Sequence, residues 1–249
     1  LIEHGADPNK KDNEGRMPIE LVSPAFKEII NDAVKMRQKG AFDEKTQAKF
    51  AEAVKRFNAK PKTGVEFLIS EGLVDKNNMA QDLAFFLQKE NDNLSRKIMG
   101  EYLGTKENLE VLKAFTNRLN FEGMEFDQAL RVFLTKFRLP GEAQMIDRCM
   151  QRFSARYCEN NPDFFPDEDT AYIIAFSLIM LHTDAHNPNV KDKMTKSQFI
   201  KNSHGFWAGQ DPPREFLERM YDSIIENEIK LDNDDLVVIR SEERRVGKE

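Results

Sequence analysis

From Pro24 onward apolar side chains recur at three- and four-residue steps almost without a break, and no alternating run bounded by turn residues competes with them. That period gives each segment one apolar stripe to bury, so the pattern predicts an all-α fold. Predicted helices run over 24–38, 43–56, 61–71, 77–90, 94–103, 107–118, 126–137, 142–158, 169–184, 195–202 and 213–229. Short connections containing Gly, Pro and Asn-Asp pairs separate them. Pro61 suits a first helical position because its missing N–H would be unpaired there, and Asp167 or Asp169 can accept from free N–H groups ahead of an apolar run.

Two places in this pattern invite a closer look. Phe126, Ala129, Leu130, Phe133, Leu134 and Phe137 form one apolar face, and Met145, Ile146, Cys149, Met150 and Phe153 form the next. Between them lies FRLPGEAQ, where Pro140 and Gly141 force a tight reversal and Glu142 follows at the tip, in the first turn of the second helix. The helix macrodipole favours an acid there by about 0.3–1 kcal/mol in any protein, so spacing alone does not single Glu142 out. The second place is AYIIAFSLIMLHTDAHN, apolar on every face as a central core helix would be. Within it Tyr172, Phe176, Ile179, Met180 and Thr183 form one stripe continuing toward Asn187, while Ile174, Leu178 and Leu181 form another. Either the helix is core throughout, or one stripe is core and the other a groove.

His182 and His186 stand four apart with Asp184 between them, a spacing that metal sites on helices share. A hydrolytic zinc site also wants a general-base carboxylate beside the first His and a third ligand, and Asn187-Pro188 breaks the helix here. The expectation is therefore a polar helix end, with no metal and no cofactor.

Composition narrows the partners. The 249 residues suffice for one sizeable domain plus an appendage, and 40% hydrophobic with 32% charged residues is an ordinary globular balance. A net charge of −6, from 37 basic and 43 acidic side chains without a basic block, argues against nucleic acid as a partner. Cys149 and Cys158 lack CxxC spacing, which suggests neither a disulfide framework nor a zinc ribbon and fits a reducing, intracellular setting. The longest apolar stretch, 171–181, falls short of the roughly 20 residues a bilayer requires, and no signal segment opens the chain. The final RSEERRVGKE is too polar to offset its own ordering entropy, so residues 232–249 read as a disordered tail or one foreign to the domain.

Two resemblances add to this reading. Residues 1–22, LIEHGADPNKKDNEGRMPIELV, resemble the end of one ankyrin repeat entering the next. The GADPN turn carries the likeness, as does DNEGRMPIE where that family usually has Thr-Pro-Leu-His; Met17, Ile19 and Glu20 depart from it. Stacked repeats need about three neighbours to bury a shared face, so the expectation is a partial repeat cut from something longer. Residues 47–231 resemble a Sec7 domain, the guanine-nucleotide exchange module for Arf-type small GTPases. The likeness rests on FNAKPKTGVEFLI at 57–69, LSRKIMGEYLG at 94–104, FRLPGEAQMIDR at 137–148, LIMLHTDAHNPNVKDKMT at 178–195 and FIKNSHG at 199–205.

The second resemblance implies a superhelical stack of about ten α-helices that catalyses GDP release from an Arf-family GTPase without covalent chemistry. It implies that Glu142 is a glutamic finger, that Asp147 is an acidic contact beside it, and that Tyr172, Phe176, Ile179, Met180 and Asn187 belong to a hydrophobic groove receiving the GTPase switch regions. His182 stands where the family often has Asn. Ser177, Asp184 and Met194 match positions associated with sensitivity to brefeldin-type inhibitors, whereas Phe176 matches the insensitive pattern. A cytoplasmic protein recruited peripherally to Golgi or endosomal membranes, through parts outside this chain, is also implied. Residues 23–46 are helical in pattern, as a linker or an autoinhibitory helix. The competing reading is a helical scaffold that binds a partner through the Tyr172 to Met180 stripe and uses Glu142 only as a helix-end charge.

Overall fold

Residues 44–229 are described by this computed structural model, and they form ten α-helices: α1 (Glu44–Ala59), α2 (Pro61–Ser70), α3 (Met79–Lys89), α4 (Arg96–Gly104), α5 (Leu109–Asn117), α6 (Phe126–Leu134), α7 (Ala143–Asn160), α8 (Glu168–His186), α9 (Lys196–Asn202) and α10 (Arg214–Glu226). Three short 3-10 turns precede α3, α4 and α5. The all-α expectation holds, and each of the ten predicted helices in this range ends within three residues of its observed bounds. The ankyrin-like segment 1–22, the predicted helix 24–38, nearly all of the 23–46 linker and the tail 232–249 lie outside the described residues. The chain separates into two compact units, Leu1–Glu52 and Ala53–Glu249, and the candidate site lies in the second.

Local chemistry sets the helix starts. Pro61 opens α2 after an extended Lys60. The Asp167 carboxylate caps α8 by accepting the Thr170 N–H at 2.7 Å, and the Thr170 side chain first, then this N–H, hold its carboxyl below the usual range. Thr195 and Gln198 cap α9 reciprocally, each side chain accepting the other's backbone N–H. Asn187 stops α8, because the ring of the following Pro188 disfavours helical backbone at the residue before it.

The core of the second unit is aromatic. Phe126 meets Phe165 at 4.7 Å and Tyr157 at 4.8 Å, both edge to face, and Phe133 and Phe153 continue the cluster at 5.2 Å. Tyr157 remains tolerable in that interior because its hydroxyl donates to the Met124 carbonyl at 2.8 Å. Among the described helices, α7 and α8 share the most extensive contact, and α10 packs on α8. Long-range hydrogen bonds fasten α10 to α6: Arg131 donates to the carbonyls of Asn227 at 2.7 Å and Ser223 at 3.0 Å, and the Ser223 hydroxyl donates to the buried Asp127 at 2.5 Å. Among the described residues no helix is long and apolar enough to cross a membrane.

One predicted boundary needs correction because it shapes the site. Helix α6 ends at Leu134, three residues before the expected Phe137. Two forces end it early: the Arg138 N–H is drawn away to the Arg96 carbonyl at 3.0 Å, and Pro140 disfavours helical backbone at Leu139.

Candidate functional site

The connection 135–142 is short, and its middle is anchored in the core. Phe137 is wholly enclosed between Phe115 and Phe133, and Leu139 and Pro140 are buried beside it. Thr135 at its start is exposed, Lys136 and Arg138 are half-buried, and from Gly141 to Gln144 every residue is exposed. Glu142 is the N-cap of α7 rather than a first-turn residue, with extended backbone, and its carbonyl accepts from the Met145 and Ile146 N–H groups at 3.0 and 3.1 Å. Its side chain, however, makes no cap hydrogen bond. An acceptor that could have satisfied a helix N–H points instead to solvent, at the positive end of an 18-residue helix.

Helix α4 holds this loop from behind. Asn91, just before α4, donates its Nδ2 to the Lys136 carbonyl at 2.7 Å, Arg96 donates to the Leu134 carbonyl at 3.0 Å, and Arg148 returns from α7 to the Gly104 carbonyl at 2.8 Å. Glu142 therefore stands on a restrained corner.

Asp147 lies on α7, about 7.5 Å along the axis from Glu142 at roughly 1.5 Å per residue. The Tyr172 hydroxyl on α8 donates to its Oδ1, and Gln151 donates to its Oδ2 at 3.1 Å. Both oxygens are engaged within the chain, and the bond ties α7 to α8. Burial, followed by the Asp147 carboxylate beside it, pushes the Tyr172 phenol far above its ordinary range.

Along α8 the exposed stripe is not the one that spacing picked out. Ile179 is 1% exposed and Thr183 6%, whereas Met180 is 40% and Ile173 37% exposed. Tyr172, Phe176, Ser177 and Asp184 are half-buried along the same side, the Tyr172 and Phe176 rings meeting at 4.9 Å. The grouping of Ile179 and Thr183 with the outward residues is corrected: both face the core, with the Thr183 hydroxyl donating to the Ile179 carbonyl. The stripe runs from Ile173 to Asp184, about 17 Å at 1.5 Å per residue, starting beside Asp147. Sequence reasoning missed Ile173, because on a helix apolar all round the outer stripe is set by where neighbouring helices leave space.

Asn187, placed in the groove by resemblance, is 7% exposed and braces a turn: its Oδ1 accepts the Asn189 N–H at 2.9 Å and its carbonyl accepts from Lys193 at 2.5 Å. Asp184 and Met194, ten residues apart, meet directly, the Met194 N–H donating to the Asp184 carboxylate at 2.6 Å. Ser177 donates to the Ile174 carbonyl at 2.8 Å. The histidines form no ligand set: the rings stack at 4.9 Å, His186 donates from Nε2 to the Ile224 carbonyl at 2.7 Å, and among the described residues no three His, Cys, Asp or Glu side chains are grouped to hold a metal. His182 is buried with neither ring nitrogen in a well-formed hydrogen bond. Burial first, then the neighbouring His186 and Arg131, pushes its pKa down to about 4, against a weak opposing pull from the Ile229 carbonyl.

The geometry is thus an exposed carboxylate on a braced corner, next to an apolar stripe about three helical turns long. Among known proteins, residues 46–229 match the Sec7 domain family. The Dictyostelium discoideum "Ankyrin repeat, PH and SEC7 domain containing protein secG" is 47% identical over 186 residues, 73% of this chain and 19% of that protein. Human Cytohesin-3 is 44% identical over 183 residues, 73% of this chain and 45% of that protein. This chain therefore spans less than half the length of either relative. Among solved structures, the Sec7 domain in a complex described as "Structure of ARF1-GDP bound to Sec7 domain complexed with Brefeldin A" matches with a TM-score of 0.68 and 39% identity, covering 74% of this chain and 94% of that one. The Sec7p catalytic domain matches with a TM-score of 0.67 and 40% identity, covering 72% of this chain and 94% of that one.

Proposed function

The chain belongs to the Sec7 domain family, and from that premise we propose that it is a guanine-nucleotide exchange factor for Arf-type small GTPases, with Glu142 as the group that displaces GDP. One observation carries the residue assignment: the Glu142 carboxylate is exposed at a helix start without the cap bond its position offers, just past the buried Leu139 and Pro140 of a loop pinned to α4. Support for the partner comes from the solved Sec7 domain that binds ARF1-GDP.

The displacement makes and breaks no covalent bond. The stripe of Ile173, Phe176 and Met180 docks the apolar part of the GTPase switch regions, and Tyr172 joins that surface to the finger helix through Asp147. Docking brings Glu142 to the nucleotide pocket, where its charge competes with the β-phosphate for the GTPase's phosphate-binding lysine and repels the phosphate and the ligand sphere of its magnesium ion. At about 4 Å and an effective dielectric near 20, one such repulsion is about 4 kcal/mol; at about 1.4 kcal/mol per tenfold, it supplies some three decades of rate. Remodelling of the switches at the stripe supplies the rest.

The test is release of fluorescent GDP from a panel of small GTPases. The reading expects acceleration confined to Arf-type members. Tight binding of these GTPases without any acceleration would be the behaviour of a scaffold and would overturn it.

A further inference from the structure

Gly100 and Gly104 lie four residues apart on one face of α4, and neither has the positive φ that would call for glycine. Space explains them instead. A Cβ on Gly100 would lie 1.7 Å from the Arg138 carbonyl oxygen, half the 3.4 Å at which ordinary contact begins, and 2.9 Å from the carbonyl carbon. A Cβ on Gly104 would lie 2.9 Å from the Met145 Cβ and 3.0 Å from the Pro140 Cγ. The bare face thus receives the loop on both sides of Glu142, at Arg138 before it and Met145 after it. The obstacle at Gly100 is backbone, which cannot swing aside as a side chain can. Glycine within a helix costs about 1 kcal/mol relative to alanine, so the close approach is kept against local propensity. At the same place the Arg138 N–H reaches the Arg96 carbonyl, one helical turn before Gly100.

We infer that Gly100 is a positioning residue for the Glu142 carboxylate: by leaving α4 bare, it lets the loop lie at the one depth from which Glu142 reaches the nucleotide pocket. This rests on the exchange-factor reading and deepens it. A methyl group at Gly100 lifts the Arg138 backbone, and the shift passes through the short Leu139-Pro140-Gly141 link to the tip. The stripe on α8 is untouched, so docking and displacement separate.

The experiment is GDP release at rising concentrations of the full chain carrying Gly100→Ala. The maximal rate is expected to fall by about one to two decades, the loss that a misplacement of about 1 Å can cause, while the half-saturating concentration stays within about threefold. Gly64→Ala is the control: its Cβ would lie 2.7 Å from the Phe57 backbone on α1, so it loosens a helix contact away from the loop and leaves the maximal rate of the folded protein unchanged. If Gly100→Ala does not fold, Asn91→Ala removes one brace without any overlap and is expected to lower the maximal rate several-fold at constant half-saturation. A wild-type maximal rate in a folded Gly100→Ala or in Asn91→Ala, or a rise in half-saturation alone, overturns the inference. Amide exchange at Arg138 reads the seating without any GTPase: it should be faster in the variants, and unchanged exchange also overturns the inference. Failure of the wild-type chain to release GDP would instead overturn the exchange-factor reading.

Discussion

Ile179 and Met180 are neighbours in sequence with opposite surroundings, one sealed in the core and the other 40% exposed. Their truncations should therefore fail in different assays. Ile179→Ala is expected to lower folding stability by about 2–5 kcal/mol, the cost of a cavity in a packed interior. Met180→Ala should leave the denaturation midpoint nearly unchanged but weaken GTPase docking by about 1–3 kcal/mol, as an interface anchor does. Equal stability loss in both variants, with docking unaffected, would make the stripe plain core. The 3.6-residue period assigns Ile179 and Met180 to faces 100° apart, but on a helix apolar all round it does not say which face the neighbouring helices cover.

Elements were easier to read than faces. Helix existence follows from local spacing and caps such as Pro61 and Asp167, which the chain carries within a few residues of where they act. The early end of α6 does not, because the group that draws Arg138 away belongs to α4, some 40 residues earlier. The same holds for the glycines of α4: a period-four pair of small residues is visible in the sequence, whereas the backbone that lies against it is not. The contact of α8 with the end of α10 adds a testable pH dependence. Folding lowers the His182 pKa from 6.5 to about 4, so as pH falls the unfolded chain takes up the proton first. The contribution is complete above about pH 6.5 and is lost progressively as pH falls toward 4. Urea midpoints between pH 7 and 4 should therefore drop more steeply for the wild type than for His182→Asn, which has no proton to gain. Parallel profiles would show that the imidazole is not held neutral by its surroundings.

At the scale of the whole chain, the account is one of division of labour across two helices. In the proposed mechanism the stripe on α8 binds and the corner at the start of α7 displaces, while the Tyr172 to Asp147 hydrogen bond joins the two helices. A displacement that breaks no bond in GDP, as proposed, has the signature that binding and release can be uncoupled by one charge. The decisive measurement pairs GTPase affinity with GDP release for Glu142→Lys. The account predicts that the GTPase still binds while release returns to the uncatalysed rate, because a cation at that corner attracts the phosphate that a carboxylate repels. Release by Glu142→Lys at the wild-type rate would contradict it.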